Sequence, residues 1–160
     1  MSAEARIAER GLVLPPEPKL PAGVAIPFQW VRVLDDRCVI SGHGALGEDG
    51  APAGPFGRVP SEVSLDAAQA SARSAALAAL GAVRRSIGSL DRVKGWLAVN
   101  GFVNADDGYP YTTAVLNPAS ELIVDVFGSE VGAHARTAIG VRALPMNLPV
   151  VFSAELLLLT

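Results

Sequence analysis

The sequence predicts an α+β domain in which two helices cover one face of a mixed sheet. Three observations carry that expectation. Strand-like and helix-like segments follow one another in the order β-β-α-β-α-β-β along 160 residues. Apolar side chains from Leu65 to Ile87 recur every three or four residues, the period of a helix with one buried stripe. The run from Pro149 to Leu159 is almost unbroken in its apolar character, as in a strand buried on both faces.

The chain is expected to form one domain over 1–160, with residues 1–24 as an N-terminal arm. Residues 1–13 suit a short helix whose large apolar side chains are Ile7 and Leu12. Pro15, Pro16, Pro18 and Pro21 then force an extended segment draped over the body. Phe28 to Leu34 reads as a strand, Asp35-Asp36 as a turn, and Arg37 to Gly42 as the returning strand of a hairpin. Residues 43–60 are rich in Gly and Pro and read as a loop with a mobile tip.

Ser64 is a suitable N-cap for the helix from Leu65 to Ile87, with Asp66 near its positive end. Much of its apolar stripe is alanine, which allows close approach to a sheet. Val93 to Asn104 reads as a third strand, with Asn100-Gly101 as a bulge within it. Asn117 and Pro118 read as the N-cap and first position of a second helix, stopped by Gly128. Thr137 to Val141 is small or β-branched and suits a half-buried strand.

Charged residues make up 18% of the chain, against roughly 25% in a typical soluble domain. So apolar a chain of this length is expected to hide surface against copies of itself. A net charge of −3 and no basic run longer than Arg84-Arg85 argue against nucleic acid as a partner. Cys38 is the one cysteine, so no intrachain disulfide forms; it reads as a buried hydrophobe. With no apolar leader and no membrane-length run, the expectation is a cytoplasmic protein without membrane association.

Gly42-His43-Gly44-Ala45-Leu46-Gly47 matches the spacing of a dinucleotide fingerprint. That motif works only where a helix opens at once and turns its amides to a pyrophosphate. Glu48-Asp49-Gly50-Ala51-Pro52 follows and starts no such helix, so the nucleotide reading is rejected.

Arg136 stands at the head of an otherwise apolar strand. A guanidinium is costly to bury without an anion, and it can grip a carboxylate through two parallel hydrogen bonds. The bland alternative is a salt bridge to one of the chain's sixteen acidic residues. Trp30 and Trp96 are expected in the core or at an interface.

The chain resembles the RidA/YjgF family, the reactive-intermediate deaminases also called L-PSP endoribonucleases, and within it the longer YjgF-like, chorismate-mutase-like members. The likeness spans nearly the whole length. It rests on Leu14-Pro15-Pro16, Val39-Ile40-Ser41-Gly42, Phe102-Val103-Asn104, Asn117-Pro118-Ala119-Ser120-Glu121, and Arg136-Thr137-Ala138 followed by Ala143-Leu144-Pro145. It implies a chorismate-mutase-like fold and a homotrimer with clefts between subunits. There an arginine clamps the carboxylate of a 2-imino or enamine acid, which is hydrolysed to a 2-keto acid and ammonia without a cofactor or metal. Arg136 falls on that arginine, Ser41 and Gly42 on the serine-glycine of the cleft, and Asn117 on its helix-start asparagine.

Three positions depart from the family's pattern. Phe28 stands where many members carry a cleft tyrosine, and Ala138 where the family has a cysteine. Val151 stands where deaminase members carry the glutamate that positions water. Glu155 lies on the same strand face but about 13 Å further along. His43 and His134 are candidates for proton transfer in its place, each with a plain surface or loop role as the alternative. Helix capping alone also accounts for Asn117, and backbone satisfaction for Ser41.

Three functions follow from the resemblance. The first is a homotrimeric deaminase binding small carboxylates at Arg136. A non-catalytic metabolite-binding member of the same fold comes second, favoured by Val151. The third, an endoribonuclease, ranks last because the chain is acidic.

Overall fold

A computed structural model describes residues 1–160. Its strands are β1 (Val31–Leu34), β2 (Arg37–His43), β3 (Val93–Asn104), β4 (Ala135–Val141) and β5 (Val150–Leu158). Its helices are α1 (Ala3–Glu9), α2 (Leu65–Ile87) and α3 (Thr112–Val131). The strands form one sheet in the order β1-β2-β5-β3-β4, antiparallel except for the parallel pair β3 and β4. Parallel neighbours need a crossover, and α3 supplies it. The α+β mixed sheet is as the sequence predicts. None of the helices is long and apolar enough to cross a membrane.

The core lies between the sheet and helices α2 and α3. Ser64 caps α2, its Oγ accepting from the Ala67 amide at 3.1 Å. Ala68, Ala72, Ala76 and Ala79 are buried alongside Leu80 and Val83. These small side chains let α2 lie close to the strands. The proline arm crosses α2 at Gly81, where an added Cβ would come within 2.7 Å of the Pro15 carbonyl oxygen. Arg85 Nη1 donates to that same oxygen at 2.9 Å. Lys19 N then donates to Gly50 O at 2.9 Å, tying the arm to the long loop. No helix follows Gly47 until Leu65.

Four local expectations need correction. Helix α3 begins at Thr112, so Asn117 is not its N-cap and Pro118 lies inside it. Proline there has no N–H for the Ala114 carbonyl one turn back. Gln69 Nε2 from α2 donates to that carbonyl at 2.9 Å, so the helix runs through. Gly128 breaks the helical backbone, at φ 85° and ψ 166°, yet a further turn carries the chain to Val131.

In β3 the register against β5 slips between Val93 and Gly95 and between Trp96 and Ala98. Asn100 and Gly101 face Ser153 and Phe152 without interruption. Gly101 is required for another reason: a Cβ there would collide with Leu116 Cγ of α3. Finally, β5 is not buried on both faces. Val150, Phe152, Ala154, Leu156 and Leu158 are buried, while the residues between them are only half-buried. Val39, Leu97 and Ile139 are exposed. They leave the sheet surface away from the helices uncovered and largely apolar.

Candidate functional site

Arg136 lies on the edge strand β4 and turns its guanidinium toward α3. Nη1 donates to Ser120 Oγ at 3.0 Å, and Nη2 donates to Asn117 Oδ1 at 3.0 Å and to Thr113 O at 3.2 Å. Thr113, Asn117 and Ser120 are spaced by four and three residues, which places them on one helix face. All three partners are neutral oxygens. The three ion pairs of the chain are Arg10–Asp125, Arg37–Glu155 and Arg84–Glu4, so Arg136 has no acidic partner. Burial pulls its pKa below the ordinary arginine value, the direction expected of a cation short of counter-charge. Of its five N–H donors, Nε and one on Nη1 have no partner in the chain.

Ser120 links this arginine to His134, whose Nε2 lies 2.9 Å from Ser120 Oγ. His134 Nδ1 lies 2.7 Å from Gly132 O, a pure acceptor, so Nδ1 carries the proton and donates. In the neutral ring Nε2 therefore accepts from the Ser120 hydroxyl, which in turn accepts from Arg136. Both ring nitrogens are committed, and His134 touches the arginine only through Ser120. Ala138, two residues on, has its carbonyl engaged by Thr112 Oγ1 at 3.0 Å.

The other expected residues gather elsewhere. A cavity of about 350 Å³ lies between the arm, the β2 end and the segment before β5. Phe28, Trp30, Gly42, His43, Met146 and Val151 are among its lining residues. The Phe28 and Trp30 rings meet edge-on, with centroids 5.3 Å apart. Gly42 belongs to a register shift between Ile40 and His43. A Cβ on it would lie 2.9 Å from Val151 Cγ1. Ser41 is spent on structure, its Oγ donating to Gln29 O at 2.7 Å. Met146 and Asn147 hold left-handed backbone at φ 55° and 54°. Asn104 Nδ2 fastens that turn, donating to Asn147 Oδ1 at 3.1 Å.

His43 is only 2% exposed. Its Nδ1 sits 2.6 Å from Ser41 O and donates to it; its Nε2 has no partner. Burial lowers its pKa below the ordinary histidine value; the Ser41 carbonyl opposes that shift, and the nearby Arg85 charge adds to it. The Trp30 ring lies against it, centroids 5.3 Å apart. Cys38 is fully buried and its thiol is pushed up to about 11 by burial. Glu155 is held by Arg37, at 2.6 and 2.7 Å.

One chain does not bring these two groups together. Between β2 and β4 lie β5 and β3, three strand spacings or about 14 Å. Arg136 moreover faces α3, whereas Val151 lies on the uncovered sheet face. Asn117 joins Arg136; Phe28, Gly42 and His43 line the cavity, and Ser41 precedes Gly42 on β2 outside its lining. Sequence reasoning did not single out Thr113, Ser120 as an arginine ligand, or Trp30 as a cavity wall. The four-and-three spacing around Asn117 was the available signal for the first two.

No family model matches the chain. Protein TCP17 of Trypanosoma cruzi is 35% identical over 132 residues, 82% of each chain. Among solved structures, protein Atu1372 of Agrobacterium tumefaciens, of unknown function, is 28% identical with a TM-score of 0.84. That match covers 98% of this chain and 91% of the other. A candidate endoribonuclease from Shewanella oneidensis MR-1 superposes with a TM-score of 0.87 at 22% identity, covering 99% and 100% of the two chains. Escherichia coli TdcF with bound serine gives 0.59 at 15% identity, over 90% and 93%.

Proposed function

Because the chain belongs to the same family as Protein TCP17 and has the RidA/YjgF fold, we propose that it is a small-carboxylate-binding protein of RidA type. It hydrolyses reactive 2-imino or enamine acids to 2-keto acids and ammonia, in clefts between the subunits of a homotrimer. The observation that carries this reading is Arg136, a cation without an acidic partner, held by three neutral oxygens with donors to spare. An anionic ligand supplies the charge that the chain does not. The TdcF neighbour holds serine, an α-amino carboxylate, which supports a ligand of that kind.

The separation of the two groups favours subunit clefts. The uncovered sheet face carrying Val39, Leu97 and Ile139 is the surface a second and third copy would bury. Such packing can set the Arg136 cluster of one subunit against the cavity of the next. Hydrolysis adds water across the C=N bond; the carbinolamine then loses ammonia as the carbonyl forms. An anchored carboxylate positions the electrophilic carbon, and this alone lowers the barrier for so reactive a substrate. His43, whose Nε2 has no partner in the chain, and His134, joined to Arg136 through Ser120, are the two candidates for proton transfer.

A non-catalytic binding protein is the second reading, favoured by Val151, whose apolar side chain packs at Gly42 where a water-activating carboxylate would serve. Cleavage of RNA, the activity in the name of the Shewanella neighbour, is the third; a net charge of −3 works against it. Ammonia release from a freshly generated 2-imino acid separates the first two: acceleration supports the deaminase, binding without acceleration the second.

A further inference from the structure

We propose that His134 is a positioning residue for Arg136, acting through the Ser120 hydroxyl to hold the guanidinium in its ligand-binding orientation. The inference rests on the carboxylate-binding reading, and it gives one of the two histidines weighed there for proton transfer a different task. Its basis is an unbroken hydrogen-bond chain. The Gly132 carbonyl accepts from His134 Nδ1 at 2.7 Å, His134 Nε2 accepts from Ser120 Oγ at 2.9 Å, and Ser120 Oγ accepts from Arg136 Nη1 at 3.0 Å.

Each link fixes the next. A carbonyl only accepts, so the neutral ring carries its proton at Nδ1 and presents a lone pair at Nε2. That lone pair takes the single proton of the Ser120 hydroxyl and leaves oxygen lone pairs for the guanidinium. Hydrogen bonds running in one direction polarise and strengthen one another. The anchor of the chain is itself held: Gly132 N donates to Gly128 O at 2.9 Å. A Cβ on Gly132 would lie 2.8 Å from that same oxygen, so the close approach needs glycine. A serine within a helix ordinarily turns its hydroxyl to a carbonyl three or four residues back. Ser120 lies within α3, yet its Oγ reaches His134 and Arg136 instead. Without the His134 acceptor that hydroxyl is drawn back to its own helix, and Nη1 loses its partner.

The test uses the full-length protein. Nitrogen NMR of wild type is expected to place the neutral His134 proton on Nδ1. Rotation of the Arg136 guanidinium, read from exchange between its two Nη signals, is expected to be roughly three- to tenfold faster in His134→Phe, and pyruvate binding weaker by the same factor. His134→Gln offers Ser120 an acceptor oxygen and is expected to restore both. Ser120→Ala combined with His134→Phe should be no worse than Ser120→Ala alone, because the histidine acts through the serine. Unaltered rotation in His134→Phe, or additive losses in the double variant, overturn the proposal. Should the phenylalanine variant fail to fold, the wild-type tautomer still decides: a proton on Nε2 breaks the chain and overturns it. A wild type that does not bind pyruvate defeats the carboxylate reading, while tautomer and rotation judge the positioning separately.

Discussion

Arg136 on β4 and Asn117 on α3 meet at 3.0 Å, guanidinium to side-chain carbonyl, on the edge of the sheet. Asn117 is thus a positioning residue for the cation and not a helix cap. Replacing it with alanine removes one hydrogen bond to a charged group while Ser120 and Thr113 hold the rest. Asn117→Ala is expected to weaken binding of a 2-keto acid by roughly three- to tenfold, with little change in the unfolding midpoint. A loss of stability with unchanged affinity would return Asn117 to a purely structural role.

Gly101 connects the core to that same cluster. Its missing Cβ makes room for Leu116, one residue before Asn117. Gly101→Ala is expected to cost about 1–3 kcal/mol by overpacking and to displace α3. Affinity for a carboxylate ligand should fall together with stability. Denaturant unfolding and calorimetry on one preparation check both; an unchanged midpoint would mean that α3 yields without cost.

His43 predicts an acid-side loss of stability. An exposed histidine in the unfolded chain binds a proton near pH 6.5. In the folded chain burial and Arg85 on α2 hold its pKa below that value, against the opposing Ser41 carbonyl. As pH falls through about 6.5 the unfolded state takes up a proton before the folded state does, so stability decreases until the folded pKa is passed. Above that window neither state is protonated at His43 and its contribution is flat. The wild-type stability, measured relative to His43→Phe by denaturant unfolding, should fall between pH 7.5 and 5.5, by at most about 1.4 kcal/mol per pH unit. A pH-independent difference would contradict the buried neutral ring.

The element order was legible because period-two and period-3.6 patterns survive in the sequence, as in the alanine stripe of α2. The start of α3 was not. Asn117-Pro118 is a strong local capping signal, but Leu116 packing onto Gly101 and Gln69 satisfying the Ala114 carbonyl carry the helix through it. The near-continuous apolar pattern of β5 implies burial on both faces, whereas the chain covers only one. Arg136 stood out as a cation entering an apolar strand. The cavity could not be seen, because its walls come from the arm, the end of β2 and the turn before β5. No local pattern encodes that convergence.

The proposed deaminase function turns on Arg136 as the anchor of the substrate carboxylate. Decay of a freshly generated 2-imino acid, followed by ammonia release with wild type and Arg136→Ala side by side, tests it most directly. Acceleration by wild type and its loss, by tenfold or more, in the variant is the predicted result, since a bidentate charge-assisted contact is worth about 1.5–3 kcal/mol. Equal acceleration by both proteins would contradict the account and remove Arg136 from the centre of the site.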